Sequence, residues 1–353
     1  MADYTEYAGP SKEWLDLEAT LPQDNDNLTV EQMRDAANKG RDAAAAEDMI
    51  KEGLQSQVVI AKFSIPTRDG SSIEGRSFRP VSIPTTRPLP VYVHSHGGGF
   101  LFGTPDSEDA ICSRTVVSLA AAGEPAVVVN VNYRHTPDNP NLTAWNDLED
   151  AFHWLHENMA FIGGESDKVV IGGISAGAWI TAALVLSQNI GKDKQLAARP
   201  RIRGQVLMIP CVVHGEFRDA SVSSYVQCEN APILSIKQTM FFTGLLDVKD
   251  PSPEDRRLSP GLATPQEAKG LPPSTFGVAG NDPLRDEGLL FAKMLSEAGV
   301  PTKVDVFRGL PHGFRRYGPE KIPLCNRWDE VVVEGIQYAL SNPVAGGFEI
   351  RAD

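Results

Sequence analysis

The stretch Gly173-Ile174-Ser175-Ala176-Gly177 constrains this chain more than any other. The β-branched run Lys168-Val169-Val170-Ile171 leads into it, and Ala178-Trp179-Ile180-Thr181-Ala182-Ala183-Leu184-Val185-Leu186 follows, apolar on nearly every side. This predicts a strand, a sharp turn and a buried helix. Small residues are needed on both sides of the serine, because strand and helix approach closely and the serine sits in a strained backbone conformation. Such a turn lifts Ser175 Oγ above the sheet and directs the new helix's N-terminus at it. A bare G-x-S-x-G recurs by chance, so the flanking strand and helix give the pattern its weight.

The rest of the chain alternates in the same way. Strands are expected at Val91–Ser95, Ala126–Asn132, Lys168–Ile171, Gln205–Ile209, Thr275–Ala279 and Lys303–Phe307. Helical patterns fill Ser107–Ala122, Ala144–Met159, Ala176–Asn189, Asp286–Ala298 and Arg327–Ser341. Alternation of this kind implies an α/β fold with a doubly wound, mostly parallel sheet. Before it, Val58–Ile65 and Ser72–Phe78 flank Arg68-Asp69-Gly70, the signature of a hairpin that adds antiparallel strands at one edge. Residues 1–55 are polar and helical, with Thr29 placed to cap a helix through the Ala43–Ala46 run. They are expected to cover the body, which divides into 56–210 and 258–353 around an insertion at 211–257. That insertion lacks a good parallel strand and carries Phe217, Tyr225, Met240, Phe241 and Phe242. Ligands of open α/β sheets bind beyond the carboxyl ends of the strands, so an apolar insertion after Ile209 is placed to roof a site. The bland alternative is a helical pair packed on the body with no ligand role.

Charge and cysteine content narrow the partners. Lys plus Arg number 33 against 46 Asp plus Glu, a net charge of −13 in 353 residues. An acidic chain repels phosphate backbones and anionic membrane surfaces, so nucleic acid is not an expected partner. Cys112, Cys211, Cys228 and Cys325 are scattered without a C-x-x-C and read as small core residues, so no metal is expected. Met1–Glu6 shows neither a basic stretch nor an apolar one, and no apolar run reaches the roughly 18 residues of a membrane span. A cytoplasmic setting is the expectation, and a homodimer is compatible with it.

A serine hydroxyl is a poor nucleophile at neutral pH. It needs a base, a carboxylate to orient that base, and N–H donors for the oxyanion that forms. His312 lies in Leu310-Pro311-His312-Gly313-Phe314, just after the strand Lys303–Phe307. The acid belongs between Ser175 and His312 in chain order. Asp282 comes directly off the strand Thr275–Ala279. Asp286 and Glu287 fall in the first turn of the next helix, where acidic groups ordinarily serve the free N–H donors and the dipole. The oxyanion donors are expected from Gly97, Gly98 and Gly99, after the strand Val91–Ser95, and from Ala176. No G-x-x-x-x-G-K-[ST] pattern is present at this glycine run, which disfavours nucleotide binding.

Taken together, His96-Gly97-Gly98-Gly99, Gly173-Ile174-Ser175-Ala176-Gly177, Asp282-Pro283-Leu284-Arg285-Asp286-Glu287 and His312-Gly313-Phe314 resemble the hormone-sensitive-lipase-like family of α/β-hydrolases. Tyr133-Arg134-His135-Thr136-Pro137 matches that family's Tyr-Arg-x-x-Pro element. The resemblance implies the α/β-hydrolase fold with a helical cap, built from the N-terminal helices and the insertion after Ile209. It implies a serine carboxylesterase with Ser175, Asp282 and His312 as triad, oxyanion donors from the glycine triplet and Ala176, and no cofactor. It also implies that His96 braces its loop without transferring protons, and that Arg134 is structural. Two positions depart from the family: Ile174 stands where Asp is frequent, and Ala178 where a further Gly is frequent.

The expected reaction is therefore hydrolysis of a carboxylic ester through an acyl-enzyme, on small to medium hydrophobic substrates. The same triad would equally serve a thioesterase, a lactonase or an acyltransferase. A non-catalytic small-molecule receptor would keep the pocket and lose the base, and His312 is present.

Overall fold

The computed structural model describes residues 4–22, 28–219 and 223–353. Residues 1–3, 23–27 and 220–222, parts of the two expected covering segments, lie outside the described residues. The strands are β1 (Val58–Pro66), β2 (Ser72–Pro80), β3 (Leu89–Ser95), β4 (Val127–Val131), β5 (Gly164–Ile174), β6 (Gly204–Met208), β7 (Ser274–Asn281), β8 (Thr302–Pro311) and β9 (Ile350–Ala352). They form one nine-stranded sheet in the order β1-β2-β4-β3-β5-β6-β7-β8-β9. β1 and β2 pair as an antiparallel hairpin and β2 runs antiparallel to β4, while every pairing from β4 to β9 is parallel.

The central strands are largely apolar, and β4, β6 and β7 are buried along their whole length, because both faces are covered. Val169 and Ile171 enter one core layer with Val91, Val93, Leu207 and Phe276, while Val170 enters the other with Tyr92, Val128 and Val206. Helices Thr143–Glu157 and Ala176–Ile190 cover the first face; Asp109–Ala121 and Leu324–Leu340 cover the second. All four cysteines are buried and free.

Three strand assignments differ most from expectation; one is β8, which runs on to Pro311, four residues past the Phe307 expected. β5 begins at Gly164, four residues before the Lys168 expected: Gly164 pairs with Leu89 and Val169 with Val91, so the solvated stretch between them bulges out of register. β9 was not expected at all. Its three residues alternate apolar, charged, apolar but are too few to stand out in the sequence, and they pair with Val304–Val306 of β8.

Helix Val30–Lys51 starts at a capping box: the Thr29 hydroxyl accepts from Gln32 N and the Gln32 side chain accepts from Thr29 N. It packs through Ala45 and Met49 on Leu54 and Ala110. The segment 211–257 contributes two short helices, Ser223–Gln227 and Ile236–Leu245. No helix among the described residues is long and apolar enough to cross a membrane.

Candidate active site

β5 ends at Ile174, and Ser175 sits at φ 55°, ψ −115° before helix Ala176–Ile190. A side chain dislikes this region of backbone space, so the turn must be held from both directions. Ser175 N donates to Met208 O at 2.8 Å, and Trp179 N donates to Ser175 O at 3.1 Å. A Cβ on Gly177 would strike the carbonyls of Ser95 and His96, and one on Gly173 would strike Gly177 itself. The glycines are there because helix and strands are in backbone contact. Ile174 and Ala178 fill apolar space at the same turn: Ile174 packs on the second core layer and Ala178 is fully buried.

β7 and β8 deliver the other two groups. Asp282 follows β7 and is buried; its Oδ1 accepts from Leu284 N at 2.9 Å. Its Oδ2 stands 2.7 Å from His312 Nδ1. His312, in the loop after β8, places Nε2 2.8 Å from Ser175 Oγ. Three side chains from distant parts of the chain thus form one hydrogen-bonded line. With the carboxylate accepting at Nδ1, the neutral imidazole presents its Nε2 lone pair to the serine proton. That arrangement can activate a hydroxyl for attack on an acyl carbon.

Gly97 and Ala176 lie beside it, and Gly98 and Gly99 follow Gly97 in the loop after β3. A Cβ on Gly97 would approach Ser175 Cβ to 3.3 Å. Gly98 at φ 138° and Gly99 at φ 61° adopt backbone that other residues resist. Among the described residues no backbone hydrogen bond engages the N–H of Gly97, Gly98, Gly99 or Ala176. His96 is buried, stacks on Tyr133 at 4.4 Å between ring centroids, and lies 3.0 Å through Nδ1 from Gly97 O. Burial, aided by the Arg41 charge, pushes its imidazole down to about 4, so it is neutral at pH 7 and donates to that carbonyl. Arg134 forks onto buried Asp147 at 2.6 Å and reaches Asp69 in the hairpin turn at 2.7 Å, which ties the β4 loop to β1 and β2.

Asp286 and Glu287 lie in the first turn of helix Arg285–Glu297, as expected, and their carboxylates also reach other segments. Asp286 pairs with Arg285 at 2.6 Å and accepts from Ser224 N at 3.1 Å. Glu287 accepts from Val212 N at 2.6 Å, Tyr225 Oη at 2.6 Å and Arg218 Nε at 3.2 Å. Both carboxylates are buried and hold the 211–227 segment to the loop that carries Asp282. The sequence shows only their first-turn position; the partners in the 211–227 segment lie 62 or more residues away in the chain and left no local signal.

A buried cluster missed in the sequence lies under the glycine loop. Glu108 Oε2 stands 2.8 Å from His94 Nε2, and its Oε1 accepts from Arg41 at 3.1 Å. Burial opposes charge on Glu108, but the His94 hydrogen bond and the Arg41 charge hold its carboxyl well below the usual range. Among the described residues no group of three or more His, Cys, Asp or Glu side chains is gathered as a metal site requires.

The comparisons agree with this architecture. Residues 92–316 match the model of a family described by its alpha/beta hydrolase fold. The chain is 32% identical over 296 residues to an AB hydrolase superfamily protein of Schizosaccharomyces pombe, covering 82% of each. It is 32% identical to esterase LipI of Mycobacterium tuberculosis, over 76% of this chain and 79% of that one. Among solved structures, vibralactone cyclase superposes with a TM-score of 0.84 at 25% identity, covering 97% of both chains. A parallel sheet with a serine elbow, a family match spanning most of the chain and esterase relatives of similar length lead to one conclusion: the chain belongs to the hormone-sensitive-lipase-like α/β hydrolases and is a carboxylesterase-type serine hydrolase.

Proposed function

We propose that Ser175, His312 and Asp282 are the catalytic triad and that the substrate is a small to medium hydrophobic ester. The observation that carries this is the unbroken line from Asp282 Oδ2 through His312 to Ser175 Oγ, at 2.7 Å and 2.8 Å. Ser175 Oγ attacks the acyl carbon while His312 Nε2 takes its proton. The negative charge on the former carbonyl oxygen is received by the N–H groups of the glycine triplet and Ala176. His312 returns the proton to the departing alcohol, leaving an acyl-enzyme. Water then repeats the sequence and frees the acid. Asp282 keeps the imidazole in the tautomer that each step needs.

The segments 1–55 and 211–257 are read as a cap over this centre. Support comes from Phe242, which packs against Gly99 and, at 5.7 Å between centroids, against Phe102. An intracellular setting is favoured by four buried free thiols.

A second reading keeps the acyl-enzyme and changes the acceptor. The solved structure that matches 97% of this chain is named a cyclase. An internal hydroxyl of the substrate in place of water would give a lactone from the same triad. The test is a panel of esters, thioesters and lactones of graded size, with product analysis, alongside fluorophosphonate labelling of wild type and Ser175→Ala. Labelling and hydrolysis confined to the wild type are expected. Equal labelling of Ser175→Ala would overturn the nucleophile assignment, and cyclic products without free acid would select the second reading.

A further inference from the structure

Each peptide of the glycine loop is gripped from its carbonyl side. Tyr133 Oη donates to His96 O at 2.7 Å, which fixes the peptide carrying the Gly97 N–H. Leu101 N and Phe102 N donate to Gly98 O at 3.0 and 2.9 Å, which fixes the peptide carrying the Gly99 N–H. The peptide between them, Gly97 C=O to Gly98 N–H, is held differently. Its oxygen accepts from His96 Nδ1 and, at 3.0 Å, from the guanidinium Nη1 of Arg41. A charged guanidinium, itself paired with Glu108, therefore donates to this one carbonyl.

Arg41 comes from helix Val30–Lys51, 56 residues away in sequence. The same helix holds the loop at two more points: Asn38 Oδ1 accepts from Gly103 N at 2.8 Å, and Asp42 accepts from the Thr104 hydroxyl. Arg41 is itself oriented by buried Glu108, which is fixed by Ser107 at 3.0 Å and by His94. A side chain with both ends of its fork engaged is preorganised.

We infer that Arg41 is a positioning residue of the oxyanion hole, acting through the Gly97–Gly98 peptide, and that helix Val30–Lys51 completes the catalytic centre through it. The inference rests on the proposal that the glycine triplet binds the oxyanion. A cation on a peptide oxygen draws electron density toward that oxygen and leaves the N–H at the other end a stronger donor, as successive hydrogen bonds polarise one another. The same contact stops the peptide from rotating its N–H away from the substrate. Both effects count only when negative charge develops on the substrate oxygen, so they belong to the transition state.

The experiment compares wild type, Arg41→Met and Arg41→Lys on a matched pair of esters, one with a C=O acyl group and one with C=S. Sulfur is a poor hydrogen-bond acceptor, so the oxo/thiono rate ratio reads the oxyanion donors directly. Arg41→Met should lower kcat by roughly 10- to 100-fold, less than the 10²–10³ lost when such a donor is deleted outright. KM should change by less than about threefold, and the oxo/thiono ratio should fall with kcat. Arg41→Lys keeps the charge opposite Glu108 and loses the fork, so it should fold where Met does not and give intermediate values. A merely structural Arg41 would lower denaturation temperature and leave the ratio alone. A large wild-type ratio that both variants retain overturns the role of Arg41 while the oxyanion loop stands. A wild-type ratio near one overturns the oxyanion reading itself.

Discussion

Phe242 lies directly against Gly99: a methyl group on that glycine would meet the phenyl ring at 2.6 Å. The first comes from helix Ile236–Leu245 of the insertion and the second from the loop after β3. An element outside the alternating body thus touches the glycine loop two residues from Gly97, whose Cβ position lies 3.3 Å from Ser175 Cβ. Phe242 is only partly buried, so some of its surface is left for substrate. Phe242→Ala removes that wall. Ratios of kcat/KM between bulky and small esters should rise by more than about tenfold, since a buried ring of this size contributes roughly 1.5–3 kcal/mol. Unchanged ranking across a graded ester series would mean that the contact is packing alone.

Asp282 and Asp286 are four residues apart and both buried, but only Asp282 touches His312. Asp286 is committed to Arg285 and Ser224. Asp282→Asn should therefore cut kcat by on the order of 10⁴, because the imidazole loses the partner that fixes its tautomer. Asp286→Asn should reduce kcat far less and show itself in stability. Single-turnover kinetics on the two purified variants decide the matter, and the reverse order would move the acid to Asp286.

Glu287 anchors the start of the insertion with hydrogen bonds from Val212 N, Val213 N, Tyr225 and Arg218. Its side chain is 2% exposed and that of Arg218 7%. Removing one partner of such a pair leaves an uncompensated buried charge, at a cost of roughly 3–5 kcal/mol. Glu287→Ala should lose that much in urea denaturation. Glu287→Met combined with Arg218→Met should recover a large part of it, since the pair is then gone from both sides. A double variant no better than the single would point to the backbone donors of Val212 and Val213 as the main loss.

How much of this was legible beforehand depended on the range of the interaction. Ser175 stands out because its neighbours in sequence are its neighbours in space: β-branched residues before it, apolar helix after it, glycines where backbones touch. His312 and Asp282 could be sought at strand ends because parallel topology puts all those ends on one side. Arg41 offered no such signal. Its partner is a carbonyl 56 positions away, and its own surroundings, Asn38 to Asp42, read as the solvated face of a polar helix. Asp286 and Glu287 were legible only as first-turn acids, since their partners Ser224, Arg218 and Tyr225 are distant in sequence. β9 was hard to read because it is three residues long, too short for its alternation to stand out from the chain around it.

Several histidines make the fold sensitive to acid, and His96 shows the sign. Burial lowers its imidazole from 6.5 to about 4, with Arg41 and His94 working in the same direction and Glu108 against them. Between those two values the unfolded chain holds a proton at this site that the folded chain lacks. Stability therefore rises with pH from about 4 to about 6.5 and is flat above, and it is lost as the pH falls through that window. At one pKa unit per roughly 1.4 kcal/mol, this site alone contributes on the order of 3 kcal/mol. His156, also brought to about 4 by burial, and His135, held well below its ordinary value, add in the same sense. Glu108 loses its contribution only at lower pH, below the ordinary glutamate range, while Asp305, raised by burial to about 6, titrates between pH 5 and 7 with the opposite sign and offsets part of the imidazole effect. Thermal denaturation of the wild type at pH 5, 6 and 7 should give a midpoint that climbs with pH. His96→Asn keeps a donor of similar reach toward Gly97 O and cannot titrate, so its midpoint should climb less over the same range. A His96→Asn profile parallel to the wild type would place the acid sensitivity elsewhere and remove His96 from the account.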